Sequence, residues 1–274
     1  CSSGCDHTTI QDAINASSDG DTIVVFEAGT YFENLFITNK DITLVGLTSM
    51  NVIVDGGMNG PTIYINDSDV DLYQLVIQNG NNETEEDGIG GGILAKDSTA
   101  EVRNCIVLEN TATKGGGVGA VGSRVYLRNT DLYDNAADLG GAVYGLGLNG
   151  FTAYNSSFTD NQGGGVVLEN INSPFDPRVT QCSFERNIGD ALISINAPLT
   201  CTNSLFAGNN GTGIRFIGDS DPLHILQCTI AHNSVVGGDE DTAAGVHVAG
   251  TSDWKIHNSI LWGNQNDYGR TNAA

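Results

Sequence analysis

Positive charge is scarce: 11 Lys and Arg stand against 33 Asp and Glu, a formal net charge of −22 over 274 residues. Such a body repels phosphate backbones and anionic lipid, which argues against nucleic acid and against docking on a membrane surface. It argues equally against an unassisted site for a polyanionic sugar. Long apolar runs are missing, since none approaches the roughly 18 residues of a membrane span. Proline (5) and methionine (2) are few, and charged residues are only 16%. With 39% hydrophobic residues, the chain is nevertheless no solvated coil, which would hold few apolar side chains. No targeting segment stands ahead of Cys1. A leader is expected to have been removed or to lie outside this sequence.

Glycine is plentiful at 36, well above its usual share of about 7%, and asparagine is abundant. Both tolerate left-handed backbone. The composition therefore predicts many short strands and frequent turns, not long helices.

One signature recurs: a polar pair, a bulky apolar residue, two free positions, then Asn. It runs Asn104 to Asn110, Asn129 to Asn135, Asn155 to Asn161, Gln181 to Asn187, Asn203 to Asn209, Gln227 to Asn233 and Asn258 to Asn264, with a weaker copy ending at Asn79. Closing asparagines are 22 to 31 residues apart. Each copy is followed by a glycine-rich start and an apolar strand, as in Gly91-Gly92-Ile93, Gly116-Gly117-Val118 and Gly164-Gly165-Val166. A period of this length with several strands per copy predicts a solenoid. Stacked coils sit about 4.8 Å apart. Asparagines at one corner would then pile into a ladder, each amide donating to the next carbonyl. The opening differs. Thr8-Thr9-Ile10-Gln11 reads as a capping box, with Ile10, Ala13 and Ile14 on one helical face. Residues 1–20 are thus expected to form an N-terminal cap and residues 21–274 the solenoid.

These residues carry a resemblance. Thr9-Ile10-Gln11, Asp19-Gly20-Asp21-Thr22-Ile23, Gly29-Thr30-Tyr31 and Asp55-Gly56-Gly57 resemble the start of right-handed parallel β-helix proteins of the pectate-lyase-like superfamily. Phe158-Thr159-Asp160-Asn161, Phe184-Glu185-Arg186-Asn187 and Phe206-Ala207-Gly208-Asn209 are similar to repeats of chlamydial polymorphic outer-membrane proteins and related bacterial surface proteins. The resemblance implies an all-β, right-handed parallel β-helix, here of about nine coils with a short N-terminal capping helix. It implies little about activity, because the fold hosts lyases, hydrolases, adhesins and structural proteins.

Candidates for chemistry are thin. Cys105, Cys182 and Cys228 share one repeat position. Cys182 and Cys228 are two coils apart, about 9.6 Å at strand spacing, too far for a disulfide. Cys201 falls in the inward column of Val102, Leu127, Ala153, Val179, Ile225 and Ile256, so the four read as core. Cys1 and Cys5 either bridge each other, or Cys1 is the lipidated residue of a surface lipoprotein. A lyase needs a basic residue beside carboxylates, but Lys96, Arg124, Arg128, Arg178, Arg186 and Arg215 show no common column. A glycosidase needs two carboxylates flanking one bond, and outward Glu169 shows no partner. Loop carboxylates at Glu85 and Asp87, and at Asp239 and Asp241, are candidate calcium ligands, although no EF-hand or calcium nonapeptide pattern is present. Solvated loop charge is the competing reading, and no other cofactor is expected. His7, His224, His232, His247 and His257 lack metal spacing. Among five sequons, Asn82 in a polar loop is the best acceptor for glycosylation in a eukaryotic source.

The outward side of the strand after each glycine turn is unexpectedly apolar. Alternation places Val121, Tyr144, Leu146, Val167, Ile193, Ile195 and Ile217 there. Such a stripe marks either an interface for a partner or a second copy, or a face covered by this chain's own loops, for example the insertion around Gly80 to Gly90. No amphipathic helix follows Asn264, so either more chain or another molecule is expected on the last coil. The leading expectation is a non-enzymatic extracellular or cell-surface protein: a rigid spacer, adhesin or assembly subunit. A polysaccharide lyase or glycoside hydrolase, or a carbohydrate-binding module, is the alternative. The enzyme would require Lys/Arg and at least two carboxylates together on one face.

Overall fold

Corner residues set the architecture. Left-handed backbone recurs in three columns: Asn39, Asp67, Asp97, Asn170 and Asn196 at one corner; Gln74, Asn104, Asn129, Asn155, Gln181, Asn203, Gln227 and Asn258 at the second; Glu109, Asp134, Asp160, Arg186 and His232 at the third. Asn, Asp and Gly accept this conformation readily, whereas other side chains cost about 1–2 kcal/mol. Between corners the chain can only run straight, so each coil becomes three short strands. A computed structural model describes residues 6–47, 51–83, 87–171, 177–219, 222–235 and 243–271. Over these, three parallel sheets of ten strands each surround one core, in line with the roughly nine coils expected. In chain order within a coil we call them the first, second and third sheets, beginning with Thr22–Val25, Gly29–Phe32 and Leu35–Thr38.

Inward positions stack rung on rung. Val102, Leu127, Ala153, Val179, Cys201, Ile225 and Ile256 lie in register on the first sheet. On the second sheet Phe158, Phe184 and Phe206 form a ring stack at 4.5 and 4.7 Å between centroids. Cys105, Cys182, Cys201 and Cys228 are free and buried. Burial pushes the Cys105 thiol up to about 12 and that of Cys182 to about 11, so both are inert core groups. Cys1 and Cys5 lie outside the described residues.

The expected amide ladder is present from Asn110 to Asn264. Each Nδ2 donates to the Oδ1 of the next, at 3.0, 3.1, 3.0, 2.9, 2.8 and 2.9 Å. Asn79 is a correction. Gln78 pairs with Leu108, which puts Asn79 level with Glu109 and Gly80 at the ladder position. The Gly80 N–H donates to Asn110 Oδ1, while Asn79 Nδ2 donates to Asp55. Burial opposes the Asp55 charge, yet hydrogen bonds from Gln78, Asn79 and the Gly57 N–H outweigh it and hold the carboxyl below its ordinary value.

A helix, α1 (Ile10–Ala16), covers the first coil. Thr9 is its N-cap and accepts from the Asp12 N–H. Glu33 of the first coil accepts from the Ile10 and Gln11 N–H groups, where the helix dipole favours an anion. Gln11 closes the open edge of strand 35–38, accepting from the Phe36 N–H and donating to the Phe36 carbonyl. The exposed ladder groups of an edge strand are thereby satisfied.

Candidate functional site

The apolar face of the third sheet is partly folded away beneath its own chain. Loops between the second and third sheets stack on one another through bridges joining Ile89, Lys114 and Leu139, and lie over the sheet as a strap. Under it, Ile89, Leu94, Tyr144 and Val167 form a second apolar cluster against which Val121, Leu139, Leu146 and Ile193 pack. Tyr144 (1% exposed) and Val167 (0%) are therefore corrected from interface residues to covered ones. Val121, Leu146, Ile193, Ile195 and Ile217 are half-buried. Gly119 interrupts the outward column for a steric reason: a Cβ there would meet Gly90 N at 2.3 Å and Ile89 at 2.5 Å. Lys114 Nζ sits 5.0 Å above the Tyr144 ring. The Tyr144 hydroxyl donates to Glu169 at 2.8 Å, a hydrogen-bond partner on the adjacent rung and not the second carboxylate a glycosidase would need. Burial and then that carboxylate raise the Tyr144 pKa.

Two other expectations change. Asn82 is 2% exposed, and its Nδ2, the atom a glycan would occupy, donates to the Ile89 carbonyl at 2.6 Å; it is not an available acceptor. Asp87 pairs with Lys96 at 3.0 Å, so its charge is matched within the chain. Glu85, Asp239 and Asp241 lie outside the described residues. Among the described residues, no three His, Cys, Asp or Glu side chains are placed to hold a metal ion together.

Charge and aromatic groups gather instead on the outer face of the first sheet. Register places Asp71 beside Glu101 and Tyr73 beside Arg103, then Glu101 beside Tyr126 and Arg103 beside Arg128. Glu101 is ion-paired to Arg103 and, at 3.0 Å, to Arg128. The Arg103 guanidinium lies 5.7 Å from the Tyr73 ring centre. Glu101 raises the Arg103 pKa. Burial, and next the Glu101 charge, push the Asp71 carboxyl upward. The six basic candidates named from the sequence share no column, but Arg103, which was not among them, shares one with Arg128.

A trough follows this cluster along the corner between the first and second sheets. It measures about 970 Å³ and is lined by Asp131, Asn155, Ser157, Gln181, Asn203 and Gln227, among others. Asn129 donates to Asn104, and Asn155 to Asn129. Beyond Asn155 the exposed Gln181, Asn203 and Gln227 side chains have no hydrogen-bond partner among the described residues. Burial raises the Asp131 pKa at the trough's edge. Tyr154, 41% exposed, stands beside Arg128, where the charged cluster meets the trough.

Topology, register and sequence together define the class. Residues 62–235 match the family described as "Right handed beta helix region", and the chain belongs to that family. Among solved structures, a variant of the periplasmic alginate epimerase AlgG is similar at 10% identity and a TM-score of 0.48, over 97% of this chain and 83% of that one. The Azotobacter vinelandii mannuronan C-5 epimerase AlgE6 A-module follows at 13%, 0.35, 96% and 93%, and Escherichia coli ybhc at 14%, 0.34, 93% and 70%. These likenesses concern the winding of the chain and carry no argument about substrate. No curated protein matches. No helix among the described residues is long and apolar enough to cross a membrane.

Proposed function

We propose that the chain is a non-enzymatic extracellular or cell-surface β-helix that binds an extended, neutral glycan along the corner of its first and second sheets. One observation carries the reading: exposed amides at Gln181, Asn203 and Gln227, without a side-chain hydrogen bond among the described residues, repeat on successive rungs along the trough, and exposed Tyr154 directly precedes Asn155 of the same lining. Rungs recur about every 4.8 Å, comparable to one sugar ring, so consecutive sugars meet the same donors and acceptors. Amides donate and accept at once, and an aromatic face packs against the apolar side of a pyranose. The overall charge of −22 disfavours an anionic polymer.

Asp71, Glu101, Arg103 and Arg128 supply the charged groups an enzyme would need. Glu101 is engaged by two arginines, however, and the turns flanking its own strand, at Asp97-Ser98 and Asn104-Cys105, are short. A carboxylate already occupied by two ion pairs favours holding a glycan over cleaving one. Affinity electrophoresis against neutral polysaccharides tests the reading. Retarded migration is expected, reduced about tenfold in affinity by Tyr154→Ala, the loss of one stacking platform. Turnover of pectin, alginate or glycosaminoglycan would defeat it.

A further inference from the structure

We infer, resting on the glycan reading of the trough, that the bound glycan carries one carboxylate, on the terminal sugar that reaches Arg128. The outward column of the first sheet next to the corner reads Tyr73, Arg103, Arg128 and Tyr154 on four consecutive rungs. Two arginines thus stand between two tyrosines with no acid in the column, in a chain of 33 acids and 11 bases. Asp71 and Glu101 occupy the outward column farther from the corner. One residue past Tyr154, at Asn155, the trough begins.

The two guanidinium groups are not used alike. Arg103 pairs with Glu101 and lies over the Tyr73 ring. Arg128 meets Glu101 through Nε alone, at 3.0 Å. Its two terminal nitrogens have no partner among the described residues, and its side chain is 47% exposed. A guanidinium with that edge free offers two parallel N–H donors, the geometry that a planar carboxylate accepts. One acid is also the limit. No residue lining the trough is Lys or Arg, and Asp131 stands among them. Charged sugars over Gln181, Asn203 and Gln227 would find no cation there, and an acid beside Asp131 would be repelled. Asn155 to Gln227 spans three rung intervals, about 14 Å, room for about four sugars. The fit is therefore to a short neutral run capped by one acid, not to a polymer of acidic sugars.

Cellopentaose, laminaripentaose, mannopentaose and chitopentaose are titrated against the full chain by isothermal calorimetry. Each is used neutral, with a glucuronic acid or a pyruvate ketal at its non-reducing end, and with an aldonic acid at its reducing end. In a series that binds, one acidic cap is expected to bind about fivefold tighter than the neutral parent. Arg128→Gln, at an exposed side chain and with its fold checked by far-UV circular dichroism, should bring the two to equal affinity. If no pentasaccharide binds, neutral or capped, the glycan reading falls and the acidic cap with it. The cap alone is overturned if neutral members bind and no cap strengthens them, or if Arg128→Gln leaves the preference intact. It is equally overturned if pentagalacturonate, acidic on every sugar, binds more tightly than the capped forms.

Discussion

Removing one amide from the middle of the ladder should cost far more than removing one from its end. Asn161 is fully buried. Its Nδ2 donates to Asn187 Oδ1, the Leu132 carbonyl and the Thr159 carbonyl. Its Oδ1 accepts from both the backbone N–H and the Nδ2 of Asn135. In Asn161→Ala the Asn135 amide group keeps its bonds to the Val107 and Tyr133 carbonyls. The Asn135 backbone N–H loses its acceptor, and two carbonyls lose a donor. At about 1–3 kcal/mol for a buried group left unpaired, the expected loss is about 2–5 kcal/mol. A domain is stable by only about 5–15 kcal/mol. Asn264 ends the same ladder but is half-buried, so water can replace its side chain, and Asn264→Ala should cost about 1 kcal/mol. Urea unfolding followed by far-UV circular dichroism measures both, with native-state hydrogen exchange locating the weakened rungs. If the two variants lose equal stability, or Asn161→Ala loses less than about 1 kcal/mol, the amides are not acting as a buried hydrogen-bond column.

Phe184→Ala, at the centre of the ring stack, should destabilise by about 3–5 kcal/mol through its cavity, read from the same urea curves. Gly119→Ala should cost about 1–3 kcal/mol by forcing the added methyl against the backbone of Gly90; the lifted strap would show as faster exchange at Gly90 and Lys114. Because the Tyr144 hydroxyl titrates above its ordinary value near 10, the unfolded chain ionises first. This tyrosine's contribution is therefore complete below pH 10 and fades as pH rises toward its folded value. Thermal melts across pH 8 to 11 should show that fall, and Tyr144→Phe should flatten it; an unchanged slope would refute the assignment.

The solenoid was legible in the chain because the fold repeats where the sequence repeats. Aligning Asn110, Asn135 and Asn161 also aligns Val102, Leu127 and Ala153, and the structure keeps that register. The charged cluster was equally recoverable. Glu101 and Arg103 flank Val102, and Tyr126 and Arg128 flank Leu127, so stepping one residue either side of the inward column would have exposed it. Asn79 misled because it precedes Gly80, which holds the ladder position. The strap was harder to see. Alternation says which way a side chain leaves a sheet, but not whether a loop from another rung lies above it. Two hints were available: an unexplained Gly119 among outward apolar residues, and lone apolar residues, Ile89 and Leu139, inside glycine-rich turns. Asn82 was read from the polarity of its neighbours, yet its own amide spans a loop that buries it.

The regular pairing has a consequence for length. Asn135 and Asn161 occupy equivalent corners 26 residues apart, with all three strands of a coil between them. Excising that interval, or duplicating it, would join like to like and alter the molecule by one increment of about 4.8 Å. Neither extremity would be disturbed. Size is thus decoupled from termini, and a gene for such a protein can lengthen or shorten its product by in-frame recombination, one storey at a time.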